Sequence, residues 1–319
     1  MGLFRKSKQD RSPAAVPVAM DTFFHDPGAA RLRRALLDRD WPTARDLLSG
    51  APDSDTRALY VEIAAKTPGV QEWIEGPIRD EPGTLWPLLL RGAHAVRWAW
   101  EARGGGTADT VSPDAWKIWF KRLVLAENCL DQVVDLDPGC ADAWHHLIIL
   151  GRARQLPVEE LWRRFDGLLA ADPHHLFGHE SMLNGLMAKW SGSDEQMFDF
   201  ARTRAAANPG TLIPLLVAQA HLEYARRHHA DNLRVYFDRD EVGDELVAAA
   251  FASVWHDGRS ATLLEPIAWN WFAMTLTLAD HLEAARPLYD AIGEDWVRPS
   301  PWRNTERFLR LRKYARDDA

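Results

Sequence analysis

Apolar residues recur every three or four positions through almost the whole chain after residue 27, and no stretch alternates apolar and polar residues between hairpin turns. The pattern predicts an all-α protein. Asp26-Pro27 opens a helix running to about Arg39, and Trp41-Pro42 opens a second to Leu48, because proline's missing N–H costs nothing in a first helical turn. Further helices are predicted near 54–66, 69–80 and 84–102. The run Arg103-Gly104-Gly105-Gly106-Thr107 then breaks the periodicity. It predicts a Gly-rich loop over 103–112, between an N-terminal helical sub-array at 21–102 and a helical repeat array at 113–319.

The second half of the chain keeps a longer rhythm. Asp137-Pro138, Asp172-Pro173 and Asn208-Pro209 fall 35 and 36 residues apart, each where a helix is predicted to stop. Ala126, Leu130 and Val133 precede the first of them; Leu161, Phe165 and Leu168 precede the second, with Trp144, Leu147 and Gly151 on the helix before. Gly185 takes the small-residue position in the next unit, and Trp269, Phe272, Ala273, Leu276, Ala285, Tyr289 and Ile292 form the last. This spacing resembles the tetratricopeptide (TPR) repeat, whose period is roughly 34 residues. The resemblance implies a TPR-like α-α superhelix, a solenoid of helical hairpins with a concave groove, and a protein that binds rather than catalyses.

A narrower likeness covers about residues 175–300. Met182-Leu183, the run Lys189-Trp190-Ser191-Gly192-Ser193-Asp194-Glu195-Gln196, then Ala220-His221-Leu222-Glu223 and Ala285-Arg286-Pro287-Leu288-Tyr289 are similar to a bacterial domain-of-unknown-function family with TPR-like hairpins. That similarity implies a fold and no activity. The same run has a local physical reading: Ser193 caps a helix start, Gln196 sits at the capping-box position, and Gly192 permits the turn before it.

Charge narrows the partners. The net charge is −8, yet residues 1–11 and 303–319 are each +3, which leaves −14 on the body between them. A body so acidic repels nucleic acid, and none is expected as a partner. Residues 1–20 are expected to form a flexible basic tail. Ser12, Pro13 and Pro17 interrupt the apolar run that a secretory signal needs, and Arg91, His94 and Arg97 interrupt the most apolar stretch, Leu85 to Trp100. A cytoplasmic protein is expected, without membrane contact through the tail. Cys129 and Cys140 have no metal-site spacing and are expected to be free thiols. The fifteen tryptophans are expected to fill gaps between hairpins.

Candidate chemistry is thin. No GxSxG elbow is present, and Gly104-Gly105-Gly106 lacks the Lys-Ser/Thr of a phosphate loop. Asp238, Asp240, Glu241, Asp244 and Glu245 read as the solvated start of a helix, where the dipole favours acids. Histidines come in pairs, at 145–146, 174–175 and 228–229. His175 and His179 share a helical face beside Glu180, but Leu183 stands where an HExxH helix needs its second histidine.

Carrying over the repeat's groove positions two, five, nine and twelve gives three sets. These are Asp142, His145, Ile149 and Arg152; His179, Met182, Leu186 and Lys189; and Ile267, Asn270, Met274 and Thr277. A lining of Asp142, His145, Arg152, His179, Met182, Lys189, Asn270 and Met274 would suit a peptide bearing a carboxylate or acidic side chains. The expectation is therefore a non-catalytic protein-protein interaction or assembly module, with no cofactor. The alternative is an enzyme or metal-dependent protein with a site centred on His175, His179 and Glu180.

Overall fold

The computed structural model describes residues 23–104, 110–190 and 192–317. The tail expected at 1–20 lies outside them, and the Gly-rich stretch is described only at its two edges. The described residues form α-helices and no strand, as the apolar periodicity predicts. In order they are α1 Pro27–Leu37, α2 Trp41–Ser49, α3 Ser54–Lys66, α4 Glu75–Asp80, α5 Leu85–Arg103 and α6 Pro113–Leu136. Then come α7 Ala141–Ala153, α8 Val158–Ala171, α9 Leu176–Gly185, α10 Asp194–Ala207, α11 Leu215–His228 and α12 Arg234–Phe237. The last are α13 Asp240–Ala252, α14 Glu265–Leu278, α15 Leu282–Ile292, α16 Pro299–Trp302 and α17 Thr305–Asp317. None is long and apolar enough to cross a membrane.

Helix ends follow local chemistry. Asp26, Asp53 and Ser193 each accept a hydrogen bond from the backbone N–H three residues on, satisfying a donor that has no partner within the helix. Asp240 and Glu241 occupy the first turn of α13, where acids favour the dipole. Asp137, Asp172 and Asn208 close α6, α8 and α10, each before a proline.

Two kinds of helix result. α8 and α15 bury one stripe each: Leu161, Phe165 and Leu168 on the first, Ala285, Leu288, Tyr289 and Ile292 on the second. By contrast α3, α7, α9, α11 and α14 are buried on most sides and form an inner row. Small residues let outer helices approach that row: a Cβ on Gly185 would fall 2.6 Å from Leu161 Cδ2, and one on Gly167 would fall 2.7 Å from the Trp144 ring. One apolar core runs from Phe24 to Ala315 without a break at the Gly-rich stretch. The helices flanking that stretch pack on each other, Gly92 against Leu130 and Arg122 Nη1 donating to the Trp98 carbonyl.

The inner row curves until its ends meet. Arg57 to Asp142 and Glu62 to His145 join α3 to α7; Asp142 to His175 and His145 to Ser181 join α7 to α9; Glu180 to Gln219 joins α9 to α11. Because these residue numbers rise together on both partners of the first two joints, α3, α7 and α9 point the same way. Just before α14, Thr262 Oγ1 donates to Asp55 at the start of α3. His25 Nε2 donates to the Asp295 carbonyl at 2.8 Å, and the Arg298 guanidinium lies 3.6 Å from the centre of the Phe24 ring. The inner helices line a half-open cavity of about 730 Å³.

Candidate functional site

Every inner helix except α7 presents one stripe to the cavity. α3 contributes Leu59, Glu62, Ile63 and Lys66, while α9 contributes Phe177, Glu180 and Asn184. α11 contributes Gln219, Glu223 and Arg226, and α14 contributes Ile267 and Trp271. The gaps of three and four are those of one helical face. Lys189, Arg33 and Arg298 complete a rim in which five cations meet three carboxylates.

The carboxylates are not equivalent. Burial opposes the charge of Glu62, but Arg97 and Lys66 hold its carboxyl well below the usual range. Lys66 Nζ stands 2.6 Å and Arg97 Nη2 2.8 Å from its Oε2. Glu223 is met by Lys189 at 2.6 Å. Among the described residues the Glu180 carboxyl accepts from Gln219 alone, and burial, with Glu62 adding, pushes it up to about 7. On the opposite side Arg226 donates to the Pro301 carbonyl at 3.2 Å. Burial and the nearby Arg303 and Arg307 push its guanidinium down to about 10.

Of the eight groove positions taken from the repeat register, only Lys189 reaches the cavity; among the accompanying apolar positions Ile267 does so. Met182, Met274 and His179 are fully buried. His179 packs edge-on against Phe165 and its Nε2 accepts from Arg204. Asn270 is a core hub: its Nδ2 donates to the Pro266 and Trp296 carbonyls, and its Oδ1 accepts from the Arg298 backbone and Trp302 Nε1. Asp142 and His145 lie inside between α3 and α9, and Arg152 lies against the Trp190 ring at 5.2 Å. The physical reason is phase: a helix apolar on all sides carries no mark of which face opens, so a register borrowed from an open repeat selects the wrong stripe.

The alternative site also comes apart. His175 Nδ1 accepts from Gly178 N at 3.0 Å, so its Nε2 donates to Asp142 Oδ1 at 3.3 Å, and the ring caps α9. His179 Nδ1 donates to the His175 carbonyl, burial lowers its pKa to about 4, and Glu180 turns to the cavity. These three do not converge on one point.

A different group does. Glu62, His145 and His146 bring one ligand atom each within 4.8 Å of one another, all buried, and among the described residues no other set of three does so. Glu62 Oε1 is 3.1 Å from His145 Nε2 and 3.6 Å from His146 Nε2. Burial lowers His146 to about 3, with His145 adding, and burial also lowers His145 against the pull of Glu62. The sequence carried two signals for this group, the paired His145-His146 and a lone Glu62 within the apolar run Leu59-Tyr60-Val61-Glu62-Ile63-Ala64-Ala65. It carried none for Arg226, whose neighbours lie some 75 residues further on.

No family model matches the chain, and no curated protein and no solved structure matches it.

Proposed function

We propose that the chain is a non-catalytic binding module, with TPR-like stacked hairpins, whose central cavity receives a short extended segment of a partner protein carrying acidic and apolar side chains. The observation that supports this reading is the mismatch of charge on the rim. Glu62 and Glu223 are each met by lysine, Glu180 is only about half ionised at neutral pH, and Arg226 faces the cavity with a carbonyl as its hydrogen-bond acceptor. A carboxylate entering there would gain charge-assisted hydrogen bonds from a cation already desolvated by burial. Phe177, Ile267 and Trp271 offer apolar area beside it. The acidic body outside would keep non-specific polyanions away.

The test uses a fluorescein-labelled hexapeptide of alternating glutamate and leucine, and a second in which lysine replaces glutamate. Anisotropy is expected to show saturable binding of the first alone, weakened by salt and by at least ~10-fold in Arg226→Glu, the loss of one charge-assisted contact. Equal binding of both peptides, or binding indifferent to Arg226, would overturn the reading.

A further inference from the structure

We propose that Glu62, His145 and His146 form a site for a divalent first-row transition-metal ion, of which zinc(II) and cobalt(II) are suitable probes. One buried nitrogen is the key to the site. His146 Nδ1 lies 2.9 Å from the Asp142 carbonyl oxygen, which can only accept, so Nδ1 carries the ring proton and Nε2 is bare. That Nε2 is wholly buried, has no hydrogen-bond partner among the described residues, and points at Glu62 Oε1 at 3.6 Å. A nitrogen lone pair and a carboxylate oxygen then face each other inside the protein, where low dielectric makes the repulsion costly. A cation between them reverses its sign.

The surroundings fit that occupant. Ligands ~2.1 Å from a tetrahedral centre stand about 3.4 Å from each other, and Glu62 Oε1 is 3.1 and 3.6 Å from the two imidazole nitrogens. The outer ring nitrogens are both held: His146 Nδ1 by the Asp142 carbonyl, and His145 Nδ1 by Ser181 Oγ at 3.2 Å, which can accept its proton and leave Nε2 free for the ion. Such outer contacts orient metal-bound histidines. Two imidazoles and one carboxylate suit zinc, iron(II) or cobalt(II) rather than calcium or magnesium. Glu62 also borders the cavity. Lys66 and Arg97 oppose a second positive charge; their shortest contacts fall on Oε2, on the far side of the carboxylate from the histidines, although Arg97 also touches Oε1 at 3.1 Å. This proposal stands independently of the peptide reading.

The experiment uses full-length protein stripped with chelator and titrated with zinc chloride against a chromogenic chelator, and in parallel with cobalt(II) followed by visible absorption. One equivalent is expected to bind, raise the melting temperature, and give cobalt(II) bands of low coordination number. His146→Ala and Glu62→Gln should lower affinity about 100-fold, Ser181→Ala about 10-fold through the lost outer contact, and the exposed His174→Ala not at all. Circular dichroism of each metal-free variant confirms folding; should His146→Ala fail to fold, Ser181→Ala decides. Absence of binding by folded wild type would overturn the site, as would binding unchanged in the decisive variants. An imidazole ¹⁵N spectrum showing His146 Nε2 protonated, with no metal affinity, would put a proton where the ion is proposed.

Discussion

The two sides of the cavity handle charge in opposite ways. On the side made by α3, α7 and α9, two buried carboxylates are answered by cations: Asp142 accepts from Arg57 at 3.0 Å and from His175 at 3.3 Å, and Glu62 is held by Lys66 and Arg97. On the side made by α11, α14 and the C-terminal turn, neutral bonds fasten the backbone through Asn270, and Arg226 has no carboxylate bonded to it among the described residues while Arg303 and Arg307 crowd it. Asp142 and Glu62 therefore tie helices together on the first side, whereas Arg226 on the second is tied only to a backbone carbonyl among the described residues. The contrast separates residues whose loss should unfold the protein from residues whose loss should only blunt it.

The sharpest break in that contrast would come from Asp142. Asp142→Ala leaves the buried His175 N–H without an acceptor and Arg57 without its anion, and should cost about 3–5 kcal/mol in urea denaturation. Next is Asn270→Ala, which strands the Trp302 indole N–H and the Arg298 backbone N–H and should cost about 2 kcal/mol. A smaller effect depends on pH. Glu180 binds its proton more tightly folded than unfolded, because burial raises it to about 7, with Glu62 on α3 adding, while Lys66 on α3 and the Gln219 amide on α11 pull it down. The folded state therefore holds the extra proton between the ordinary glutamate range and pH 7, and stability falls as pH rises through that window, by roughly 1–2 kcal/mol once cavity solvent is allowed for. Thermal melts of Glu180→Gln between pH 5 and 8 should lose that slope; an unchanged slope would assign it elsewhere. Smallest of all, Arg226→Ala should move stability by no more than about 0.5 kcal/mol, since it relieves crowding among like charges. A loss there equal to that of Asp142→Ala would erase the distinction between the two sides.

Much of the secondary structure was legible because its causes are local. Ser193 caps α10, Asp-Pro and Asn-Pro pairs stop three helices, and Gly185 meets Leu161 where two helices touch. The site was far less so. Glu62 and His145 are 83 residues apart, and Arg57 and Asp142 are 85, so no periodicity links them. A buried helix such as α14, with Asn270, Met274 and Thr277 all interior, shows uniform apolar character and hides its orientation. Polar residues out of place in apolar runs, Glu62 on α3 and the His145-His146 pair on α7, marked the place.

The meeting of Asp55 with Thr262 and of Phe24 with Arg298 also bears on how such a chain can change length. An open stack of hairpins gains or loses a unit with little disturbance to the others. Here the first and last turns are neighbours, so a duplicated hairpin would part them and a deleted one would force them to overlap. The number of inner helices and the width of the hollow are thereby tied together, as staves are to the girth of a cask.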